Sequence, residues 1–290
     1  MTCRYTGRVA LDTATNDTVD AAAPEPVAVL LHRRLVLRAL GRHLSRGPLR
    51  VLHCGPDVGL AVELARLGCD VSAVDVDLHP GSSGGEDERA LHVRVREALR
   101  RVGGPDRGVG VRPGARTPVT RLAAEWGAQE FDLVCCHGVV PYVPALRPAL
   151  RALADVVRPG GLVSLDGLNA AGLGMYYAQM RMLGMPGVWG PLLRAVDGLG
   201  RGLRAEVVVG EGERPRWAEY VVDVENLLAQ VGVVKVALHG LRGATDLSDE
   251  ELEQRRGHLA EILEREWAHG LLGSYRVFGR GYHLIGRRES

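Results

Sequence analysis

Apolar residues at Val29, Leu30, Leu35, Leu37, Leu40 and Leu44, with Arg and His between them, predict an amphipathic helix over 27–44. Beyond it, short apolar runs alternate with segments of helical period. The pattern predicts strand 50–54, helix 59–67, strand 70–75, helix 88–102 and strand 108–111. A helix over 120–126 then precedes strand 131–137, helix 145–157 and strand 162–168. A β-α repeat of roughly 20 to 30 residues predicts an α/β fold, a doubly wound, mostly parallel sheet with helices on both faces. The runs Pro80 to Gly85 and Gly103-Gly104-Pro105 mark loops.

Past Leu168 the rhythm changes. Residues 172–216 carry Met175, Tyr176, Tyr177, Met180, Met182, Met185 and Trp189 among glycines and prolines. Their place between two elements of the sheet unit makes them a helical cap insertion over the site. Order returns with helix 222–231, strand 233–241, a charged helix 249–267 and a last strand 275–286. Residues 1–26, rich in Thr, Ala and Asp and ending in Pro24-Glu25-Pro26, read as a loose leader, and 27–290 as one domain.

Composition narrows the function classes. The chain of 290 residues is 46% hydrophobic and 24% charged, which excludes wholesale disorder. A net charge of +1 argues against a strongly basic nucleic-acid binder. Lys235 is the only lysine, so arginine supplies the rest of the basic side chains. Codon bias explains that simply; recognition of an anionic substrate by guanidinium groups is the functional alternative. Five cysteines, an odd number without C-x-x-C spacing, point to a reduced chain. The apolar run Val27–Leu31 is halted by His32-Arg33-Arg34, too short for a secretion signal or a membrane span. A soluble, cytoplasmic protein with no membrane partner is expected. His53, His137, His239 and His283 are scattered without paired ligand spacing, so no metal site is expected.

The first strand runs Val51-Leu52-His53-Cys54-Gly55 and continues through Pro56-Asp57-Val58-Gly59 into a helix. Glycine after a strand permits positive φ and lets a ligand approach the backbone. The helix N-terminus presents free amides to the same spot. Asp75 ends the second strand about 20 residues after Gly55, where a carboxylate can accept both hydroxyls of a ribose.

At these residues the chain resembles the class I S-adenosylmethionine-dependent methyltransferases. Glu130 to His137 is similar to that family's fourth strand. Val157-Arg158-Pro159-Gly160-Gly161 is similar to its "L-R-P-G-G" turn, where proline halts a helix and the glycine pair lets the chain reverse. Within the family, 137–143, 168–173 and 279–284 resemble the bacterial methyltransferase that esterifies a carboxymethoxy group on the wobble uridine of transfer RNA. The resemblance implies S-adenosyl-L-methionine as cofactor, with His53, Cys54, Gly55, Gly59, Asp75, Val76, Ala115, Arg116 and His137 around it. It also implies that Arg280 and Arg242 recognise a substrate carboxylate. The chain departs from the family in places. His53 stands where an acidic residue is usual, and Asp57 replaces a glycine. Gly243 and Ala244 replace an aromatic residue and a histidine, and no acid follows the third strand among Gly114 to Thr117.

Methyl transfer from a sulfonium needs an in-line nucleophile and, for a carboxylate, no base. His137 is the candidate catalytic residue, either as a wall for the cofactor's methionine part or as a general base. Asn169 and Tyr176 or Tyr177 are candidates to line the acceptor pocket, and Arg242 and Arg280 to anchor an anion. The expected function is methylation of a small-molecule acceptor, carboxylate or otherwise anionic. The alternatives are a transfer-RNA wobble-uridine methyltransferase and a non-methylating binding protein on the same fold.

Overall fold

A computed structural model describes residues 25–44, 49–74, 76, 91–101, 117–174, 204–207, 216–243 and 247–290. Helix α1 (Val27–Leu40) leads into β1 (Arg50–Cys54), α2 (Val58–Arg66), β2 (Asp70–Val74) and α3 (Leu91–Arg101). Then come α4 (Leu122–Trp126), β3 (Phe131–Cys136), α5 (Leu146–Val156) and β4 (Val157–Asn169). The second half holds a hairpin of β5 (Ala205–Val207) and β6 (Arg216–Glu219), then α6 (Val221–Gln230) and β7 (Val233–Leu241). It closes with α7 (Asp249–Gln254), α8 (Leu259–Leu271), α9 (Gly273–Phe278) and β8 (Gly281–Arg288).

The strands make one sheet. β2, β1, β3 and β4 lie side by side and parallel. β8 runs antiparallel between β4 and β7, and β6 joins the C-terminal extension of β4 through Leu168↔Ala218. The strand expected over 108–111 and most of the expected cap lie outside the described residues. Within that cap the hairpin β5–β6 adds strand where only helix is expected.

Burial on both faces explains the continuous apolar strands. Leu52, Cys54, Val134, Cys136, Val163 and Leu165 point into a core shared with α4, α5 and α6. Val51, Val71, Leu133, Cys135 and Leu162 point into a second core with α1, α2 and α3. Helix α5 supplies the first core with Leu146, Ala149, Leu150 and Leu153, the i, i+3, i+4, i+7 stripe of a helix buried on one side. Each buried leucine of that stripe contributes roughly 1.5–3 kcal/mol.

Four expected elements change. The strand expected over 162–168 begins at Val157 and includes the residues expected to turn. The first helix ends at Leu40, and Gly41 opens a turn before Leu44. The charged helix is broken into α7, a 3-10 turn at Arg256–His258 and α8. Gly257 lies at that break, the poorest helix former there. The last strand begins at Gly281, not Tyr275, because its partners β4 and β7 offer no pairing beyond Leu168 and Leu241. Without a ladder to join, 273–278 folds locally as α9.

Candidate functional site

Strand register alone lines up a row of chemistry across the sheet. Cys54 pairs with Cys136 and Cys136 with Leu165. The residues that follow them, Gly55, His137 and Asp166, therefore lie abreast at the C-terminal ends of β1, β3 and β4. Asp166 is paired in turn with His283, and His283 with His239. This is the end of a parallel sheet where such folds bind ligands.

The glycine turn is tightly built. Gly55 has φ +147°, and a Cβ there would fall 2.1 Å from the His137 carbonyl oxygen. Only glycine fits. Asp57 caps α2 by accepting from the Leu60 N–H at 3.2 Å. Arg33 of α1 crosses to the same carboxylate, with Nη2 2.7 Å and Nε 3.1 Å from Oδ1. Its Nη1 donates to Glu25 at 2.8 Å, and its Nη2 also pairs with Glu25. The guanidinium lies against Gly59, so that a Cβ there would meet Arg33 Cζ at 2.0 Å. One buried cation thus sits between two carboxylates at the first turn of α2. Burial opposes charge on both Asp57 and Arg33, yet their pairing holds Asp57 below the usual carboxylate range and Arg33 firmly protonated.

Beside this turn, His53 is fully buried, with the backbone of Gly55 and Asp57 against its ring. Burial pushes its pKa down, so the ring is neutral. His137 Nε2 and His283 Nε2 lie 3.0 Å and 2.8 Å from Ser164 Oγ. One hydroxyl proton cannot serve two acceptors, so at least one of the two rings carries its proton on Nε2. Burial lowers the pKa of both well below that of free histidine. Asp166 accepts from the Gly138 N–H at 2.8 Å and pairs with His32 Nε2 at 2.9 Å. The imidazoles of His32, His137, His283 and His239 follow one another at centroid spacings of 6.1, 5.3 and 5.9 Å, ending on Trp267. Histidines scattered in sequence are therefore adjacent in space. Among the described residues no group of three or more His, Cys, Asp or Glu is placed to hold a metal ion.

The other expected site residues are placed as follows. Asn169, 1% exposed, donates to the Gly279 carbonyl at 2.8 Å and so ties the end of β4 to the start of β8. Arg242 and Arg280 converge on the Leu247 carbonyl, at 2.5 and 2.9 Å, and Arg242 also pairs with Asp249 at 2.7 Å. Cys54 is buried in the core, and Val76 makes a parallel bridge with Thr117. Asp75, Ala115, Arg116, Tyr176 and Tyr177 lie outside the described residues.

Several residues of the site carry no signal in the motifs. Arg33 had one: it falls in phase with buried Val36, Leu37 and Leu40, a charge on an apolar stripe. Glu219 of β6 has none. It is 2% exposed, holds Arg204 Nε at 2.7 Å and leaves Oε2 without a partner. Burial outweighs Arg204 and pushes its carboxyl up to about 7. Nearby, Tyr282 is buried with its hydroxyl against Gly167.

The architecture has known relatives. Residues 111–165 match the methyltransferase-domain family model. A magnesium protoporphyrin IX methyltransferase from Synechocystis PCC 6803, solved with bound SAH, superposes with a TM-score of 0.53 over 91% of this chain and 86% of that one, at 13% identity. An S-adenosylmethionine-dependent methyltransferase from Mesorhizobium loti superposes at 0.51 over 89% of this chain and all of that one, at 18% identity. The chain has a methyltransferase fold. In sequence, a ubiquinone biosynthesis O-methyltransferase from Bordetella avium is 33% identical over 121 residues. That match covers 41% of this chain and 43% of the relative, so it spans less than half the length of either. Among the described residues no helix of this methyltransferase fold is long and apolar enough to cross a membrane.

Proposed function

We propose that the chain is an S-adenosylmethionine-dependent methyltransferase acting on a small molecule. The observation that carries this reading is the Gly55–Gly59 turn with Arg33 laid over it at the N-terminus of α2. The residues present suit the cofactor's amino-acid end. Glu25 already lays a carboxylate on the Arg33 guanidinium, so this cation has the geometry to take one. The neutral ring of His53, buried beside the same turn, adds a polar wall. Asp75 would hold the ribose, with Val76, Ala115 and Arg116 about the adenine. When bound, S-adenosylmethionine supplies an electrophilic methyl group. The protein's own part is to orient the acceptor and keep water out, for which the buried His137 makes a neutral wall.

A small-molecule acceptor is favoured over transfer RNA. Arg242 and Arg280 are bonded to the Leu247 carbonyl, and the balanced charge provides no sequence-wide basic surface. The non-methylating reading rests on the same turn seen differently: Arg33, satisfied by two carboxylates, would be a fixed staple that no ligand displaces. Thermal unfolding separates the two. S-adenosylhomocysteine at one hundred times its Kd stabilises by about 2.7 kcal/mol, a rise of roughly 4–5 °C for a chain of this size. No shift at millimolar ligand favours the staple and a binding role of another kind.

A further inference from the structure

We propose that His32 and Asp166 are a base and its positioning residue, and that the acceptor's reacting atom is a hydroxyl oxygen that still carries its proton. This rests on the methyltransferase reading. His32 Nε2 lies 2.9 Å from one oxygen of Asp166, whose other oxygen is fixed by the Gly138 N–H at 2.8 Å. A carboxylate only accepts, so Nε2 carries a proton in this contact and, in the neutral ring, Nδ1 holds the lone pair. The side chains are 30% and 10% exposed, which leaves the imidazole reachable while its carboxylate is covered.

No other imidazole of the row has both features. His137 and His283 are tied to Ser164 and buried, His239 is buried at 7% exposure against Trp267, and His53, outside the row, is fully buried. The groups facing His32 are Asp166 from β4, Asp57 from the glycine turn, His137 from the end of β3, His283 from β8 and Arg33 from its own helix. Burial lowers its pKa, but Asp166 outweighs burial and the net shift is upward, as suits a proton acceptor.

The need for a base selects the acceptor. An ionised carboxylate would need none. A phenolic hydroxyl, with a pKa of about 10, does need one. In the step, the hydroxyl proton passes to His32 Nδ1 while the acceptor oxygen bonds to the methyl carbon. The carbon–sulfur bond of the sulfonium donor breaks and sulfur keeps the electron pair. The imidazolium then returns its proton to water. Proton transfer from a hydroxyl creates an attracting imidazolium–oxyanion pair, whereas transfer from an ammonium merely moves a positive charge.

The test uses 4-nitrophenol, whose ionised form absorbs visible light, added to the protein with S-adenosylhomocysteine below the probe's own pKa. The proposal expects at least about a twofold rise in the ionised band with wild type, lost in His32→Gln. In Asp166→Asn, which keeps the imidazole, the band weakens and the NMR titration of His32 moves to lower pH. No ionisation by wild type, an equal band in His32→Gln, or an unmoved His32 titration overturns it. Calorimetry with S-adenosylhomocysteine keeps the two failures apart. If that ligand does not bind, the methyltransferase reading falls; if it binds and the band is absent, only the base assignment does.

Discussion

Replacing Arg33 by methionine keeps most of the side-chain volume and removes the cation from between Asp57 and Glu25. The Arg33 side chain is 7% exposed and that of Asp57 13%, so little solvent screens the pair. Removing one partner of a buried ion pair costs about 3–5 kcal/mol, because the other charge is left uncompensated. The sign of the pH dependence follows from Asp57. In the wild type Arg33 holds its pKa down against burial, so this pair's stabilisation is present above the unfolded carboxylate's pKa and fades as pH falls. In Arg33→Met the guanidinium no longer offsets burial and only the weaker help of the Leu60 N–H and His53 remains, so the pKa rises and the variant loses stability as pH rises. The deficit is therefore expected to be about 3–5 kcal/mol at pH 7 and at least about 1 kcal/mol smaller near pH 4.5. Urea unfolding at the two pH values measures it. The same variant should bind S-adenosylhomocysteine roughly 10- to 150-fold more weakly, the equivalent of one charge-assisted hydrogen bond of about 1.5–3 kcal/mol. A deficit below about 1 kcal/mol at both pH values, with unchanged affinity, would refute the placement of Arg33 in the turn.

Three further outcomes are expected. Gly55→Ala forces β1 and β3 apart, since the new Cβ would stand 2.1 Å from a carbonyl that cannot rotate away. It should cost about 3 kcal/mol or more, and a melting temperature within a degree or two of wild type contradicts this. Ser164→Ala removes the hydroxyl between His137 and His283 and should cost about 1–3 kcal/mol by urea unfolding, with no cost counting against that network. Glu219 has its carboxyl raised from 4.5 to about 7, so its contribution declines as pH rises through that window, by about 3 kcal/mol in all. Glu219→Gln should flatten the fall of stability between pH 5 and 7.5, and an unchanged slope would place the titration elsewhere.

The central strands were legible because each is apolar on both faces and bounded by a turn signal, as at Val51–Gly55 and Val157–Gly161. The site was legible only where a backbone requirement leaves its mark in residue type. Gly55 did so, because no side chain fits against the His137 carbonyl. Asp166 did not, since it is one polar residue in an apolar strand whose meaning depends on the register of three neighbours. The pairing of Arg33 with Asp57, and of His32 with Asp166, spans distant stretches of chain and follows from how α1 packs over the sheet. The failure at 275–280 has a like cause. Its β-prone residues cannot form a strand where no partner strand continues.

The claim on which the rest depends is that the turn from Gly55 to Gly59, under Arg33, holds S-adenosylmethionine. Ultraviolet cross-linking of methyl-labelled S-adenosylmethionine to the wild-type protein, followed by peptide mapping, tests it most directly. The account predicts label on the peptides that carry His32–Arg33 and His53–Asp57, competed away by S-adenosylhomocysteine. Label confined to other peptides, or none that the competitor removes, would contradict it.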